Sequence, residues 1–481
     1  MSPATPSDGG LFSPGRRSLT VGLVLTITLV AFEALAVSTV MPDVVRELRG
    51  IELYGWVFTA FVLASLIGIV VSGGLIDRRG LGLPFALGLG LFAVGLIGGG
   101  LAPSMPVLVL ARVVQGLGAG AIPPIAYVAI GRSLPERLRP QMFATLSTAW
   151  VLPGVFGPAI AGAVGDTIGW RAVFLGLLPL IAIAGAISFP AVHRVDSRPA
   201  ANDGGAVNDA EAVAAASLRR RLPLALLVAA GAGLFLAGLT SGQPLAVVGL
   251  TVAGAAIGLP ALSRLTPPGT LRVARGLPAA VLLRGILTFC FFAVDAYVAL
   301  TLVDWRGQTL TQAGISLTAA TLAWTAGSWI QARFAPRWGP DRFVRAGIAV
   351  VAVGLAAFIV VLDRDLSEWL GIPTFGLAGL GMGLAYAPLT LIVLREAPAA
   401  EQGAATAALS LTDSLGTALG TGVTGAIVAA SIRATGAPVN GLGVAFAVAV
   451  GVAVVGLVLT RRLSSTVVRT PDVSGVVVPG S

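Results

Sequence analysis

The sequence contains no lysine, and it has one histidine (His193), one cysteine (Cys290) and four tyrosines in 481 residues. A lone cysteine excludes an internal disulfide, and no Cys/His cluster is spaced for a metal. His193 falls in a polar stretch and reads as a solvated side chain. The most informative deficit is charge. Only 11% of residues are Asp, Glu, Lys or Arg, less than half the share of about 25% usual in soluble domains. A soluble chain of this length needs a larger polar surface, so lipid is the expected solvent for much of it. All 31 basic residues are arginine. The missing lysine accompanies abundant Ala, Gly and Val, as GC-rich coding produces, and carries no functional weight. The net charge of +9 does not argue for nucleic acid, because the arginines sit in short loops between apolar runs.

What is there is hydrophobic: 56% of the chain. A helix needs about 20 apolar residues to cross the hydrocarbon. Fourteen runs qualify, near 18–40, 56–76, 83–102, 105–131, 142–164, 171–190, 222–240, 245–262, 278–302, 312–332, 343–362, 370–394, 403–429 and 441–460. Arg16 and Arg17 before the first run, with Ala34-Leu35-Ala36 inside it, resemble a signal peptide. Glu33 directly before that site and the continuation to Met41 favour a retained first helix. With the N-terminus in the cytoplasm, 23 arginines fall on the cytoplasmic side and six outside, an orientation the positive-inside rule supports.

The layout is an N-terminal six-helix half (1–190), a linker with two additional spans (191–277), a C-terminal six-helix half (278–462) and a disordered cytoplasmic tail (463–481). Both termini are expected in the cytoplasm. Nothing in the sequence offers a soluble catalytic or signalling domain, a HExxH or GxSxG motif, or a DxD-like metal cluster, so an enzyme is not expected.

Several motifs stand at matching places. Between the second and third runs lies Gly73-Gly74-Leu75-Ile76-Asp77-Arg78-Arg79-Gly80. Here Gly73 permits close helix approach, Asp77 can cap a helix or pair with an arginine, and Gly80 permits a tight turn. A degenerate copy (Gly327, Gln331, Arg333, Arg337, Gly339 and Arg342) follows the tenth run, as expected of an internal repeat. The fourth run carries Arg112-Val113-Val114-Gln115-Gly116. The fifth carries Gly154, Gly157, Pro158 and Gly162, small residues spaced to form a close-packing helix face.

Together these motifs resemble the major facilitator superfamily, and specifically its fourteen-span drug:proton antiporter branch, over nearly the whole chain. The resemblance implies an all-α polytopic fold of two six-helix bundles plus two central helices. It implies proton-coupled efflux of drugs by alternating access. In the family the first motif latches the cytoplasmic side, although Leu81 and Gly82 here replace the usual basic residues. The Gly154–Gly162 motif is associated with antiporters. Trp170-Arg171-Ala172-Val173-Phe174 further resembles the drug-export branch. Asp413 stands where relatives often carry arginine.

Ionisable groups inside spans mark function, because each costs several kcal/mol unless paired or hydrated. Four are read as proton-coupling residues: Glu33, Arg112, Asp295 and Asp413. Glu33, Arg112 and Asp295 each lie about seven residues, or ~10 Å, from the outer ends of their runs. Arg284 is expected to snorkel to the inner surface without a coupling role. Trp150, Phe156, Phe292, Tyr297 and Trp324 are candidates to line a substrate cavity. No cofactor, metal or nucleic acid is expected. The partners are a small amphiphilic or cationic substrate and the bilayer, and the protein is expected to be a monomer. Export of a lipid or lipid-linked metabolite is the alternative.

Overall fold

A computed structural model describes residues 10–14, 16–135, 138–196, 206–398 and 401–463. They form α-helices joined by short turns. The first half comprises α1 (Arg17–Leu48), α2 (Tyr54–Arg79), α3 (Gly82–Gly100), α4 (Met105–Ser133), α5 (Arg139–Thr148), α6 (Val151–Thr167), α7 (Trp170–Leu175) and α8 (Leu177–Asp196). A central hairpin follows, α9 (Ala206–Thr240) and α10 (Pro244–Leu265). The second half comprises α11 (Leu277–Leu300), α12 (Leu310–Trp338), α13 (Pro340–Ile359), α14 (Gly371–Glu396), α15 (Gln402–Thr435) and α16 (Val439–Leu459). The tail call falls on residues 463–481, of which only Leu463 lies among the described residues.

Twelve of these stretches are long and apolar enough to cross a membrane. The expected count of fourteen is therefore not met, and the two expected runs outside the twelve are 142–164 and 312–332. The first is interrupted at Ala149-Trp150, leaving α6 with 17 residues. The second is long enough, 29 residues in α12, but it carries Gln312, Ser316, Thr318, Thr321, Thr325, Ser328 and Gln331. Those polar groups face protein more than lipid. Thr318 Oγ1, for instance, donates to the Val155 carbonyl of α6 at 3.2 Å. Helices α6 and α12 are packed on each other along one seam between the halves, which relieves both of the need for an all-round apolar surface.

The second seam joins α2 to α15, where Thr59 Oγ1 donates to the Ala418 carbonyl at 3.0 Å. The central hairpin lies over this seam. Leu63 (α2), Ala232 (α9) and Ala418 (α15) share one apolar cluster. Thr240, at the end of α9, touches both halves: its Oγ1 lies 3.3 Å from Trp56 Nε1, and its carbonyl accepts from Arg433 at 3.2 Å.

Within each half the helices approach closely at small residues, as membrane helices do in the absence of a hydrophobic driving force. A Cβ on Gly120 of α4 would lie 2.0 Å from the Ser65 carbonyl oxygen of α2, whereas one on Gly90 of α3 would meet nothing within 4 Å. Gly120→Ala is therefore expected to cost about 1–3 kcal/mol through overpacking, and Gly90→Ala to be neutral or slightly stabilising. Thermal melts of the two purified variants in the same detergent check this; equal midpoints would contradict the close packing of α2 on α4.

Candidate functional site

Between the two halves lies a cavity of about 1900 Å³. Its walls come from α1, α2 and α4 on one side and α11, α12, α14 and α15 on the other. Most of the lining is apolar or aromatic. Three of the four predicted ionisable residues reach it: Arg112, Asp295 and Asp413. Glu33 does not, although its neighbour Ala34 does.

Glu33 is 0% exposed and forms an ion pair with Arg112, itself 2% exposed. Arg112 Nη1 also donates to Gln115 Oε1 at 2.7 Å, its Nε donates to the Val57 carbonyl at 3.1 Å, and its guanidinium stacks over Phe61 at 4.1 Å. Gln115 stands beside the carboxylate, yet its Nε2 and Glu33 Oε2 each lack an aligned hydrogen bond. The pair is buried and has spare bonding capacity. Helix α1 continues beyond the expected run to Leu48, so Glu33 lies about 22 Å from the end of the helix at 1.5 Å per residue.

The second half carries a counterpart. Arg284 Nε on α11 lies 3.0 Å from Asp413 Oδ1 on α15. Tyr386 of α14 donates to Asp413 Oδ2 at 3.2 Å, and the Arg284 guanidinium lies 3.3 Å over the Tyr386 ring and donates to its carbonyl. The expectation that Arg284 snorkels to the surface is thereby corrected. It is buried, because a carboxylate one helix away neutralises it inside the protein at lower cost than stretching to water.

Asp295 is different. It lines the cavity on α11, and among the described residues it has no hydrogen bond or ion pair. A carboxylate in that position is held by water, by a proton or by a cationic guest.

At the end of the molecule away from the Arg-rich loops, the halves are fastened together. Arg46 of α1 reaches Asp304, just after α11, at 2.7 Å, and Asp43 at 2.7 Å. Tyr54 of α2 donates to the Ala296 carbonyl at 2.8 Å and packs on Tyr297 with ring centroids 4.8 Å apart. Asp166, at the end of α6, accepts from the backbone N–H groups of Leu310 and Thr311 at 3.2 and 3.1 Å and from Thr311 Oγ1 at 2.7 Å. Helix α12 satisfies the N–H groups of Thr309 and Gln312 by its own capping box. The other two donors of its first turn are satisfied by a carboxylate from the opposite half, which also complements the helix dipole. The cavity is thus sealed at this end. At the other it is lined by Arg337, Arg342 and Arg395, all exposed.

The sequence matches the Major Facilitator Superfamily over residues 23–421 and again over 285–474. The chain belongs to that superfamily. It is a multi-pass membrane transporter rather than an enzyme. The multidrug resistance protein Stp of Mycobacterium tuberculosis is 27% identical over 427 residues, covering 85% of this chain and 75% of Stp. The multidrug transporter protein MdtP of Bacillus subtilis is 25% identical over 423 residues, covering 86% and 75%. In fold, the chain is similar to a bacterial homologue of the human lysosomal transporter Spinster, solved inward-facing and unoccupied, with a TM-score of 0.64, 16% identity and coverage of 94% and 98%.

The superfamily motifs can now be placed. Helix α2 runs through the latch sequence to Arg79, so Gly73, Asp77, Arg78 and Arg79 are helical and only Gly80 turns the chain. The side chains of Asp77 and Arg78 lie outside the described residues. Gly80 has φ +72°, and Gly339, closing α12 in the repeat-related position, has φ +81°; both values suit glycine. Gly73 departs from expectation: a Cβ there would meet nothing within 4 Å, so it does not bring helices together in this state. In the antiporter motif, a Cβ on Gly154 would lie 2.0 Å from Thr321 Cγ2 and one on Gly162 would lie 2.7 Å from the Leu310 carbonyl oxygen. Both contacts are with α12. A Cβ on Gly157 points instead to Phe32 at an ordinary 3.5 Å, and the Pro158 carbonyl oxygen lies against Gly314. The motif is the seam between the halves.

Of the aromatic candidates, Trp150, Phe292 and Trp324 line the cavity. Phe156 and Tyr297 do not. Phe156 is exposed outside the lining, and Tyr297 is fully buried, donating to the Thr421 carbonyl at 3.0 Å. Sequence reasoning missed Tyr386, Phe61, Arg284 and Asp166. Tyr386 carried a signal, since a hydroxyl in mid-span needs a partner.

Two outcomes are expected. Removing the Asp166 cap is worth about 1 kcal/mol, so Asp166→Ala should raise maleimide labelling of Ser38→Cys from the sealed side roughly fivefold (1.4 kcal/mol being tenfold). Cys290, buried, gives little background. Unchanged labelling would remove Asp166 from the seal. Separately, Glu33→Leu leaves the Arg112 charge buried and is expected to destabilise the fold by about 3–5 kcal/mol, while Glu33→Leu with Arg112→Met restores much of it; denaturant melts decide.

Proposed function

We propose that this transporter exports amphiphilic, cationic small molecules across the cytoplasmic membrane in exchange for protons. The observation that carries the reading is Asp295: a carboxylate without a partner among the described residues, in a large cavity walled by Phe292 and Trp324. A planar or alkylated cation satisfies the carboxylate electrostatically and the rings by contact. When the guest leaves, a proton takes its place and neutralises the carboxylate where it stands. The named activities of Stp and MdtP agree with drug export.

In this reading the Arg-rich end faces the cytoplasm, both termini lie there, and the structure is the inward-open state. Arginine bias supports that orientation. Helices α6 and α12 complete fourteen crossings, their polar residues being taken up by each other and by the cavity. Transport needs no cofactor and proceeds in a monomer. Glu33–Arg112 and Arg284–Asp413 act as paired charges whose carboxylates accept protons only when the guanidinium is drawn away. One proton crossing ~100 mV and one pH unit supplies about 3.7 kcal/mol, enough for about a 500-fold gradient of a neutral substrate. Exchange of one proton for one monovalent cation moves no net charge and leaves only the pH term, about tenfold.

The test is uptake of a fluorescent cation into inverted vesicles under an imposed pH gradient. Asp295→Asn is expected to lower the pH-driven rate at least tenfold, while Phe156→Ala, outside the cavity, keeps it. Glu33→Gln and Asp413→Asn are expected to lose coupling to pH before they lose binding. Full pH-driven export by Asp295→Asn would overturn the assignment. Lipid transfer without proton movement in the same vesicles would favour export of a lipid or lipid-linked metabolite.

A further inference from the structure

The Arg-rich end of the cavity carries polar groups that drug export leaves unused. Gln331 of α12 is 6% exposed, yet it lines the cavity, and its Oε1 has no hydrogen-bond partner among the described residues. One to three helical turns onward, Arg337 and Arg342 flank the Gly339 turn, and Arg395 stands at the end of α14. All three line the same cavity, and among the described residues none of them has a hydrogen bond or ion pair. The carboxylate at this mouth is Asp341, close to Gly339. Among the described residues of this mouth, three guanidinium groups therefore accompany one carboxylate. The positive-inside rule explains arginines in loops; it does not explain a buried amide oxygen left unsatisfied on the same cavity wall, which costs free energy unless something binds.

We infer that this mouth is a binding site for an anionic amphiphile whose headgroup carries both a phosphate and a hydroxyl. Guanidinium forks match phosphate oxygens in a bidentate manner. The Gln331 amide offers a donor to the phosphate and an acceptor to the hydroxyl. The apolar wall running inward from Trp338 takes the alkyl chain. A polyol-phosphate lipid of the adjoining leaflet has this chemistry, and so does a free polyol phosphate. The inference rests on the cavity geometry and not on drug export, and its test reads binding without transport.

The full-length protein in detergent is titrated with brominated phosphatidylglycerol and with brominated phosphatidylcholine of the same acyl chains, and quenching of tryptophan fluorescence is followed. The unaltered protein is expected to bind the anionic lipid about tenfold more tightly. Arg337→Gln with Arg342→Gln should bring the preference close to one, and Gln331→Leu should lower it about threefold. Arg461→Gln with Arg462→Gln, at the same end but outside the cavity lining, should leave it unchanged. Melting midpoints of each variant, matched to the unaltered protein, separate lost binding from lost fold. Competition by millimolar glycerol 3-phosphate assigns the site to a free headgroup, and no competition assigns it to the lipid. Equal binding of the two lipids by the unaltered protein, or an equal loss in the Arg461/Arg462 variant, would overturn the site.

Discussion

A charge held away from water must be neutralised where it stands, and this requirement organises the molecule. In the first half, Glu33 of α1 and Arg112 of α4 satisfy each other. In the second, Arg284 of α11 and Asp413 of α15 do so, with Tyr386 as a third member. Each pair pins two helices of one bundle and leaves the seam between bundles free of fixed ionic ties at that depth. Asp295 also lines the cavity, without a hydrogen bond or ion pair among the described residues. The bundles can then behave as rigid units, while this carboxylate remains sensitive to what occupies the space between them.

The contacts that hold the bundles to each other are of another kind. At the far end they are one exposed ion pair, a tyrosine hydrogen bond, and an aspartate capping a helix of the opposite half. Exposed ion pairs are individually worth less than about 1 kcal/mol, and a helix cap about the same. Weak ties of this kind at the far end are what the exchange proposed above would need, since two facing states can interconvert only if they are similar in free energy.

Much of this was legible in the sequence, because membrane insertion forces its physics into composition. Long apolar runs, the arginine bias and the glycine spacing all report single-helix properties, and they located the helices. The two runs that fall outside the twelve fail for different reasons: the first is broken at Ala149-Trp150, leaving α6 with 17 residues, and α12 carries polar side chains that meet α6 or line the cavity. Pairings were less legible. Glu33 and Arg112 are brought together only by matching positions along their runs, although α1 itself runs on past Pro42 to Leu48. Arg284 was misread because its partner lies 129 positions away. Asp166 escaped notice for the same reason: its ligands are backbone N–H groups in the other half, and nothing in local sequence marks them.

The hairpin of α9 and α10 makes the two seams mechanically unequal. Thr240 grips Trp56 on one bundle and Arg433 on the other, so it cannot keep both holds while α2 and α15 part. Under the exchange proposed above, parting α2 from α15 would cost the hairpin one of these two holds, whereas the α6–α12 edge is tied by the Asp166 carboxylate and not by a third element.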